Sequence, residues 1–319
     1  MLVGRRRFRA VAGAAALGVF TSVSYRKFQH DIHMAKLRIS AGSTLATTAR
    51  GPIEYSQIGQ GKPLLVVHGA GGGYDQGLLF ARPLADRGFR ITAMSRFGYL
   101  RTPLPADASP RTQADAHASL LDALQIDRTM VIGASAGAPS AMQFAIRYPE
   151  RCSALVLLVP LTWKPDDVAD SARRPSRIAE LMLRSIVGSD AVFWLALNLV
   201  RNALVERVLG TPAAVLAEAS PSEQARVDEA LQSILPLSSR AAGLRNDGLI
   251  AASLTRYDLE SIRAPTLVIS VRDDLYGTFA GAQYTARHIA DARFVGYERG
   301  GHLWVGHHVE LLDEIVSMS

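Results

Sequence analysis

One serine in this chain has neighbours with almost no side chain. Ser135 lies in the pentapeptide GASAG, with Gly133 two residues before it and Gly137 two residues after it. An apolar run typical of a buried strand precedes the pentapeptide, and a helical stretch follows it. A sharp strand-to-helix turn exposes a hydroxyl beside a helix N-terminus, where free backbone N–H groups favour negative charge. The pattern therefore predicts a nucleophilic serine.

A serine nucleophile needs a base and an acid that orients the base. Asp273 and Asp274 end an apolar strand-like run, and His302 follows two glycines ahead of the last helical stretch. His302 is the predicted base, and either aspartate could be the acid. His307 and His308 are predicted to be surface or capping residues. A zinc site built from the three histidines is disfavoured because no H-E-x-x-H motif accompanies them.

Negative charge on a reacting carbonyl oxygen needs fixed N–H donors. The stretch VVHGAGGG ends an apolar run in a loop that is mostly backbone. The predicted donor pair is the N–H of Ala70 and the N–H of Ala136, with Gly71 as a substitute for Ala70. A phosphate-binding loop is disfavoured because no G-K-[ST] follows the glycines. We therefore expect no cofactor and no metal.

The rest of the chain alternates between apolar strands and helices. Strands with two buried faces, separated by helices, are typical of an α/β fold with a mostly parallel central sheet covered by helices on both faces. The predicted strands are Thr44–Thr48, Ile53–Ile58, the LLVVHG run, Phe89–Met94, Thr129–Ile132, Leu155–Val159, Thr266–Ser270 and Phe294–Tyr297. The predicted helices are Gly77–Arg87, Arg111–Leu124, Ala136–Tyr148, Thr278–Ala290 and His307–Met318, with a short one at His30–Ile39.

Residues 161–261 interrupt this alternation, because they contain helical stretches and no convincing strand. An insertion of this size predicts a helical lid over one end of the sheet, between core segments 31–160 and 262–319. Trp163, Phe193 and Trp194 could line an apolar pocket there, although such residues at helical spacing more often form the core of a lid.

The composition excludes several classes of protein. With 319 residues, 48% of them hydrophobic and 20% charged, the chain can bury a large core. Its one cysteine, Cys152, excludes an internal disulfide. Six of the 35 basic residues and none of the 29 acidic residues precede Asp31, so the remainder is neutral overall. A neutral folded domain argues against nucleic acid as a partner.

The first 30 residues have the character of a targeting segment. Basic residues, including Arg5-Arg6-Arg7 of twin-arginine character, precede an apolar run from Ala10 to Val23. No Ala-x-Ala cleavage site follows this run. An uncleaved signal anchor in residues 1–30 is therefore favoured over a cleaved export signal, and a frayed basic N-terminus is the plain alternative. We expect membrane association through this segment.

Together, HGAGGG, SRFGYLRTPLP, GASAG, RDDLYG and GGHLW resemble the motifs of the α/β-hydrolase superfamily of serine hydrolases. The resemblance covers about residues 44–318 apart from the lid. It implies that Ser135 is the nucleophile and His302 the base. In the family's G-x-x-D motif the acid lies three residues after a glycine; Val271 replaces that glycine here, and the position implies Asp274 as the acid, with Asp273 as the alternative.

A serine rather than an aspartate at this position disfavours the dehalogenase and epoxide hydrolase chemistries of the family. The resemblance implies hydrolysis of a carboxylic ester of a small-molecule acyl substrate through an acyl-enzyme. Amide, thioester, lactone or carbon–carbon bond hydrolysis would use the same residues. A ligand-binding receptor with slow turnover belongs to a different functional class, and absence of ester turnover would distinguish it.

Overall fold

A computed structural model describes residues 23–165 and 189–319 of the chain. Its centre is an eight-stranded sheet in the order β1-β2-β4-β3-β5-β6-β7-β8. The two pairings that involve β2 are antiparallel, and all the others are parallel. The strands are β1 Thr44–Thr48, β2 Gly51–Ile58, β3 Lys62–Val67, β4 Phe89–Met94, β5 Thr129–Ala134, β6 Cys152–Leu158, β7 Thr266–Val271 and β8 Ala292–Tyr297.

The central strands are buried on both faces, as their continuous apolar runs predict. All six residues of β7 are buried, and so are the last four of β3. Helices cover both faces of the sheet and form a separate hydrophobic cluster on each. The core helices are α2 Tyr74–Ala81, α3 Pro110–Ala123, α4 Ala138–Arg147, α10 Phe279–Arg287 and α11 His308–Val316.

The helix predicted at Gly77–Arg87 differs from the one observed. The α-helix α2 ends at Ala81, and Arg82–Arg87 form a 3-10 helix with Pro83 in its first turn. Proline has no N–H to donate to an α-helical carbonyl, so it favours this change. The other predicted core helices and strands appear within a few residues of their predicted ends.

A helical insertion joins β6 to β7, and its described part starts at residue 189. It contains α5 Asp190–Leu199, α6 Arg201–Val208, α7 Ala213–Ala217, α8 Pro221–Ser233 and α9 Ala241–Ser253. Phe193 and Trp194 are buried in the insertion's own hydrophobic cluster, so they belong to its core. Trp163 instead packs edge-on against Tyr284 of α10, with ring centroids 5.4 Å apart. The segment 166–188 of the predicted lid lies outside the described residues.

Helix α1 spans residues 23–41 and packs against the insertion. Ile32 and Ala35 join the insertion's cluster, and the indole of Trp194 donates to Asp31 over 2.8 Å. The boundary predicted between residues 30 and 31 therefore falls inside one continuous helix. A cavity of about 630 Å³ separates parts of α1 from the insertion; Trp194 lines it, but none of the predicted catalytic or oxyanion residues does.

Within residues 23–165 and 189–319, no helix has the length and apolar character needed to cross a bilayer. The predicted targeting segment lies outside the described residues up to residue 22.

Candidate active site

Ser135 occupies a strained turn at the carboxyl end of β5. Its φ is +49°, a left-handed conformation that residues with a side chain rarely adopt. The glycines on either side permit the close packing of this turn. A Cβ on Gly133 would lie 2.5 Å from the Cβ of Ala141, and one on Gly137 would lie 2.4 Å from the carbonyl oxygen of Val67. The local sequence thus allows the turn that presents Ser135 at the sheet edge.

The acid and the histidine follow two other parallel strands at the same edge. Asp274 comes after β7 and His302 after β8, and the Asp274 Oδ2 lies 2.8 Å from the His302 Nδ1. Thr278 donates its hydroxyl to the same oxygen, and the Tyr276 N–H donates to Oδ1 over 2.8 Å. Burial raises the pKa of Asp274, but the imidazole and these hydrogen bonds outweigh burial and lower it. The carboxylate is therefore ionised at neutral pH.

The neighbouring aspartate has a different partner. Asp273 Oδ1 accepts the N–H of Gly301 over 2.7 Å, which ties the acid loop to the histidine loop. Asp274, and not Asp273, contacts the imidazole. His307 lies near Glu310 and His308 near Trp304 at the start of α11, away from the imidazole of His302. The described residues contain no cluster of His, Cys, Asp or Glu able to hold a metal ion.

The insertion packs directly on the histidine. The carbonyl of Gly210 accepts the N–H of His302 over 3.2 Å and the N–H of Leu275 over 3.0 Å. The Tyr276 ring stands perpendicular to the imidazole, with centroids 4.8 Å apart. Because His302 is only 7% exposed, its orientation is set by packing as well as by Asp274. Among the described residues its Nε2 makes no hydrogen bond, and the Ser135 hydroxyl is therefore not bonded to it in this structure.

The loop after β3 has most of its N–H groups occupied. The N–H of Gly69 donates to Gln76 Oε1 over 3.1 Å, and that of Gly71 donates to the Tyr99 hydroxyl over 3.3 Å. The N–H of Gly72 donates to Gly69 O over 3.4 Å. The N–H of Ala70 has no partner among the described residues, and Ala70 is exposed. A Cβ on Gly69 would lie 3.2 Å from the Cβ of Ser135, so the loop adjoins the serine.

Ala136 directly follows the serine in the 3-10 turn Ser135–Gly137. N–H groups in the first turn of a helix have no acceptor within the helix. Within the described part of the chain, the unpartnered N–H of Ala70 and the first-turn N–H of Ala136 are therefore the two candidate oxyanion donors, one beside Gly69 and one directly after Ser135. Gly71 is the less suitable alternative because its N–H already donates to Tyr99.

A buried ion pair joins this loop to the insertion. Arg96, in the loop after β4, makes two 2.7 Å bonds to the carboxylate of Asp247 in α9. The same guanidinium donates to His68 O over 2.8 Å and to Gly69 O over 3.2 Å. Tyr99 donates to Asp247 over 2.5 Å. Arg96 and Asp247 are 4% and 6% exposed, so the insertion is bonded to the loop that carries Ala70.

A second arginine holds the other side of the loop. Arg240 of the insertion is fully buried, and its guanidinium donates to Gly72 O over 2.5 Å and to Asp75 Oδ2 over 2.7 Å. Sequence reasoning missed Arg96, Asp247 and Arg240 in these roles. Only Arg96 had a local signal, because it lies in the SRFGYLRTPLP motif.

His68 is neutral in this arrangement. Its Nδ1 lies 2.7 Å from Gly69 O, and its Nε2 accepts the N–H of Arg96 over 3.0 Å. Burial, together with the charge of Arg96, lowers the pKa of His68 well below its usual value. The imidazole therefore supports the loop as a neutral hydrogen-bonding group.

Comparison with known proteins supports the fold described above. A family model described as alpha/beta hydrolase fold matches residues 62–305. The uncharacterized hydrolase YcgS of Bacillus subtilis is 29% identical over 270 residues, covering 80% of this chain and 90% of that protein. A 2-hydroxy-6-oxo-6-phenylhexa-2,4-dienoate hydrolase of Comamonas testosteroni is 32% identical over 113 residues, or 34% of this chain and 40% of that one.

Among solved structures, an alpha/beta hydrolase fold protein from Nakamurella multipartita superposes with a TM-score of 0.64 at 28% identity, covering 87% of this chain and 98% of its own. The family match spans well over half of the chain and includes the segments of Ser135, Asp274 and His302. The eight-stranded sheet has its predicted α/β architecture. The chain therefore belongs to the α/β-hydrolase fold family.

Proposed function

We propose that this chain is a serine hydrolase that cleaves a carboxylic ester through an acyl-enzyme. The observation that carries the proposal is the 2.8 Å contact between Asp274 and His302, at the sheet edge where the strained Ser135 is also presented. A nucleophile, a base and a base-orienting acid after three parallel strands are the groups that acyl transfer requires. Ala70 and Ala136 are the proposed oxyanion donors.

In the acylation step, the Ser135 Oγ attacks the ester carbonyl carbon while His302 Nε2 takes the serine proton. The carbonyl oxygen becomes an oxyanion, which accepts hydrogen bonds from the N–H groups of Ala70 and Ala136. Asp274 holds the proton on Nδ1 and stabilises the imidazolium. The C–O bond to the alcohol then breaks, and the imidazolium protonates the departing oxygen.

In the deacylation step, water replaces the alcohol. His302 takes a proton from the water, whose oxygen attacks the acyl carbon, and the oxyanion again accepts the same N–H groups. The bond from the acyl carbon to the Ser135 Oγ breaks, and the proton returns to the serine. Free acid leaves, and the enzyme regains its starting state without any cofactor.

A covalent probe tests the serine independently of the natural substrate. A fluorophosphonate should form an Oγ–P bond at Ser135 with loss of fluoride, detected as a mass increase on the peptide that contains it. Ser135→Ala should abolish labelling, whereas Ser153→Ala, a half-buried serine on β6, should label normally. Labelling that survives Ser135→Ala would overturn the assignment.

Turnover of p-nitrophenyl butyrate tests the ester reaction. Ser135→Ala and His302→Ala should each lower kcat by about 10⁴–10⁶, because such residues act as a unit. Loss of less than tenfold in either variant would contradict the proposed mechanism. Labelling without turnover of any ester would favour the slow-turnover receptor.

Carbon–carbon bond hydrolysis is the second candidate, because one relative is named as a 2-hydroxy-6-oxo-6-phenylhexa-2,4-dienoate hydrolase. The same serine, histidine and N–H donors could act on a ketone carbonyl. Loss of the absorbance of that dienoate, in parallel with the ester assay, compares the two reactions directly. A kcat/KM for the dienoate that exceeds the best ester value by tenfold would replace ester hydrolysis as the main activity.

A further inference from the structure

A buried amide near the proposed site has a donor without a partner. Gln113, in the first turn of α3, is only 4% exposed. Its Oε1 accepts the N–H of Phe97 over 2.7 Å, so the amide orientation is fixed, because a flipped amide would oppose two donors. Among the described residues, the Nε2 of Gln113 has no hydrogen-bond partner. Burying such a donor unpaired is unfavourable, which points to an acceptor from outside the described residues, such as an atom of a bound substrate.

Gln113 lines a small cavity beside the nucleophile. Ala136, which directly follows Ser135, forms part of the same cavity wall, as does Asn246 of α9. The cavity measures about 10 Å³. This is the room that one water molecule or one substituent oxygen needs.

The cavity adjoins a larger groove that reaches the surface. This groove measures about 460 Å³ and lies between α9, the start of α3 and the middle of α4, where Gln143 lines it. The groove and the cavity share four lining residues, Ala108, Pro110, Asn246 and Ile250. Ser135 lines neither space, but Ala136 of the cavity wall follows it directly, so a substrate bound at Ser135 could place an oxygen atom in the cavity.

The charges around the cavity select the kind of acceptor. Arg96 is the one charged residue among the described residues that line the cavity, and its guanidinium is bonded to Asp247. No unpaired positive charge is present there to compensate a buried carboxylate, so an anionic acceptor would be costly. A neutral carbonyl oxygen suits the Gln113 amide better.

We propose that Gln113 is a specificity-determining residue that donates a hydrogen bond to a neutral keto oxygen of the substrate. The substrate class is then an ester with an oxo group at a fixed distance from the scissile carbonyl. This inference rests on the proposed esterase function, and its test separates the two.

The test moves a keto oxygen along otherwise identical esters. The probes are p-nitrophenyl hexanoate, its 3-oxo, 4-oxo and 5-oxo derivatives, and the corresponding oxoalkyl butyrates with their alkyl parents. Each kcat/KM is divided by the rate of alkaline hydrolysis of the same ester. We expect one oxo position to be favoured about tenfold over its parent, as one added hydrogen bond to a buried donor predicts.

Two variants of Gln113 should abolish that preference. Gln113→Met nearly keeps the length of the side chain and removes the amide donor, whereas Gln113→Leu removes the amide and shortens the side chain. Each should still hydrolyse the unsubstituted parent esters. Gln283→Leu, a half-buried glutamine of α10 that lines neither the cavity nor the groove, should retain the preference.

Three outcomes would overturn the inference. Ester turnover with no oxo preference above threefold would mean that the cavity holds water only. A preference that survives both Gln113→Met and Gln113→Leu would assign the recognition to another group. Absence of turnover with every ester would overturn the proposed function, and this inference with it.

Discussion

Asp247→Asn tests whether the ion pair between the insertion and the core supports catalysis as well as folding. The carboxylate of Asp247 accepts two 2.7 Å bonds from Arg96 and one 2.5 Å bond from Tyr99, all in a buried setting. An asparagine has the same size but leaves the Arg96 charge without its counter-charge. The guanidinium would then hold His68 O and Gly69 O less firmly.

The expected loss of stability follows from this burial. Removing one partner of a buried ion pair costs about 3–5 kcal/mol in the free energy of unfolding, because the remaining charge stays buried and unpaired. For a chain of this size, that corresponds to a decrease in Tm of roughly 4–8 °C. Because the loop carries the proposed oxyanion donor Ala70, we also expect kcat to fall by about 10²-fold.

The measurements are urea unfolding followed by circular dichroism and ester turnover at a temperature well below both transitions. Fluorophosphonate titration of Ser135 gives the concentration of competent enzyme, so unfolded protein does not lower the apparent kcat. The matched control is Asp228→Asn, because Asp228 of α8 pairs with Arg201 where both side chains are more than one-third exposed. That exposed pair should contribute less than about 1 kcal/mol.

A decrease in stability with an unchanged kcat would show that the ion pair is structural only. A change below about 1 kcal/mol, equal to that of Asp228→Asn, would refute the argument from burial. Arg96→Lys gives a further comparison, because lysine keeps the charge but cannot reproduce the bidentate contact.

Three further outcomes are expected. Asp274→Asn should lower kcat by about 10⁴ through the wrong histidine tautomer, whereas Asp273→Asn should change kcat less than tenfold; the reverse order would exchange their roles. His68 and His117 are buried with lowered pKa values, about 3 for His117, so the unfolded chain alone binds their protons below about pH 6.5. The free energy of unfolding should thus fall by about 1.4 kcal/mol per pH unit for His117 between about pH 6 and 4, with a further fall from His68, and urea titrations with a flat pH profile would contradict this. Deleting residues 1–22 should leave kcat within twofold of the full-length value. In high salt the full-length chain should sediment with membranes and the truncated chain should not; release of the full-length chain by salt would indicate a peripheral basic segment.

The sheet was predictable because its signals are local. Each central strand is a short apolar run, and the spacing of Gly133, Ser135 and Gly137 marks the turn without reference to the rest of the chain. Asp274 and His302 were predictable as candidates because each follows such a run. That they contact each other is a property of the parallel sheet, in which the strands end at one edge.

The supports of the site were not predictable, because their partners are distant in sequence. Arg96 and Asp247 are separated by 151 residues, and neither residue type alone indicates a buried pair. Helix α1 was predicted too short for a similar reason. Its residues Ile32 and Ala35 are buried because the insertion packs against them, which the local sequence does not indicate. Gln113 gave no signal because an unpaired amide is visible only in three dimensions.

The hydrogen bonds and ion pairs that hold the insertion to the rest of the chain have a consequence for protein engineering. Arg38 of α1 donates to the carbonyls of Ser233 and Leu235, over 2.8 and 2.6 Å, so a helix that precedes the sheet in the chain also secures the insertion. A chimera that exchanges only the insertion for that of a relative would leave Arg38 and Arg96 facing foreign surfaces. A transplant that carries residues 23–41 with it preserves one of these junctions, and co-transfer of the β4 loop preserves the second. The transferable unit for altering selectivity is thus a set of chain segments, because Arg240 of the insertion also binds Gly72 and Asp75 in the loop after β3.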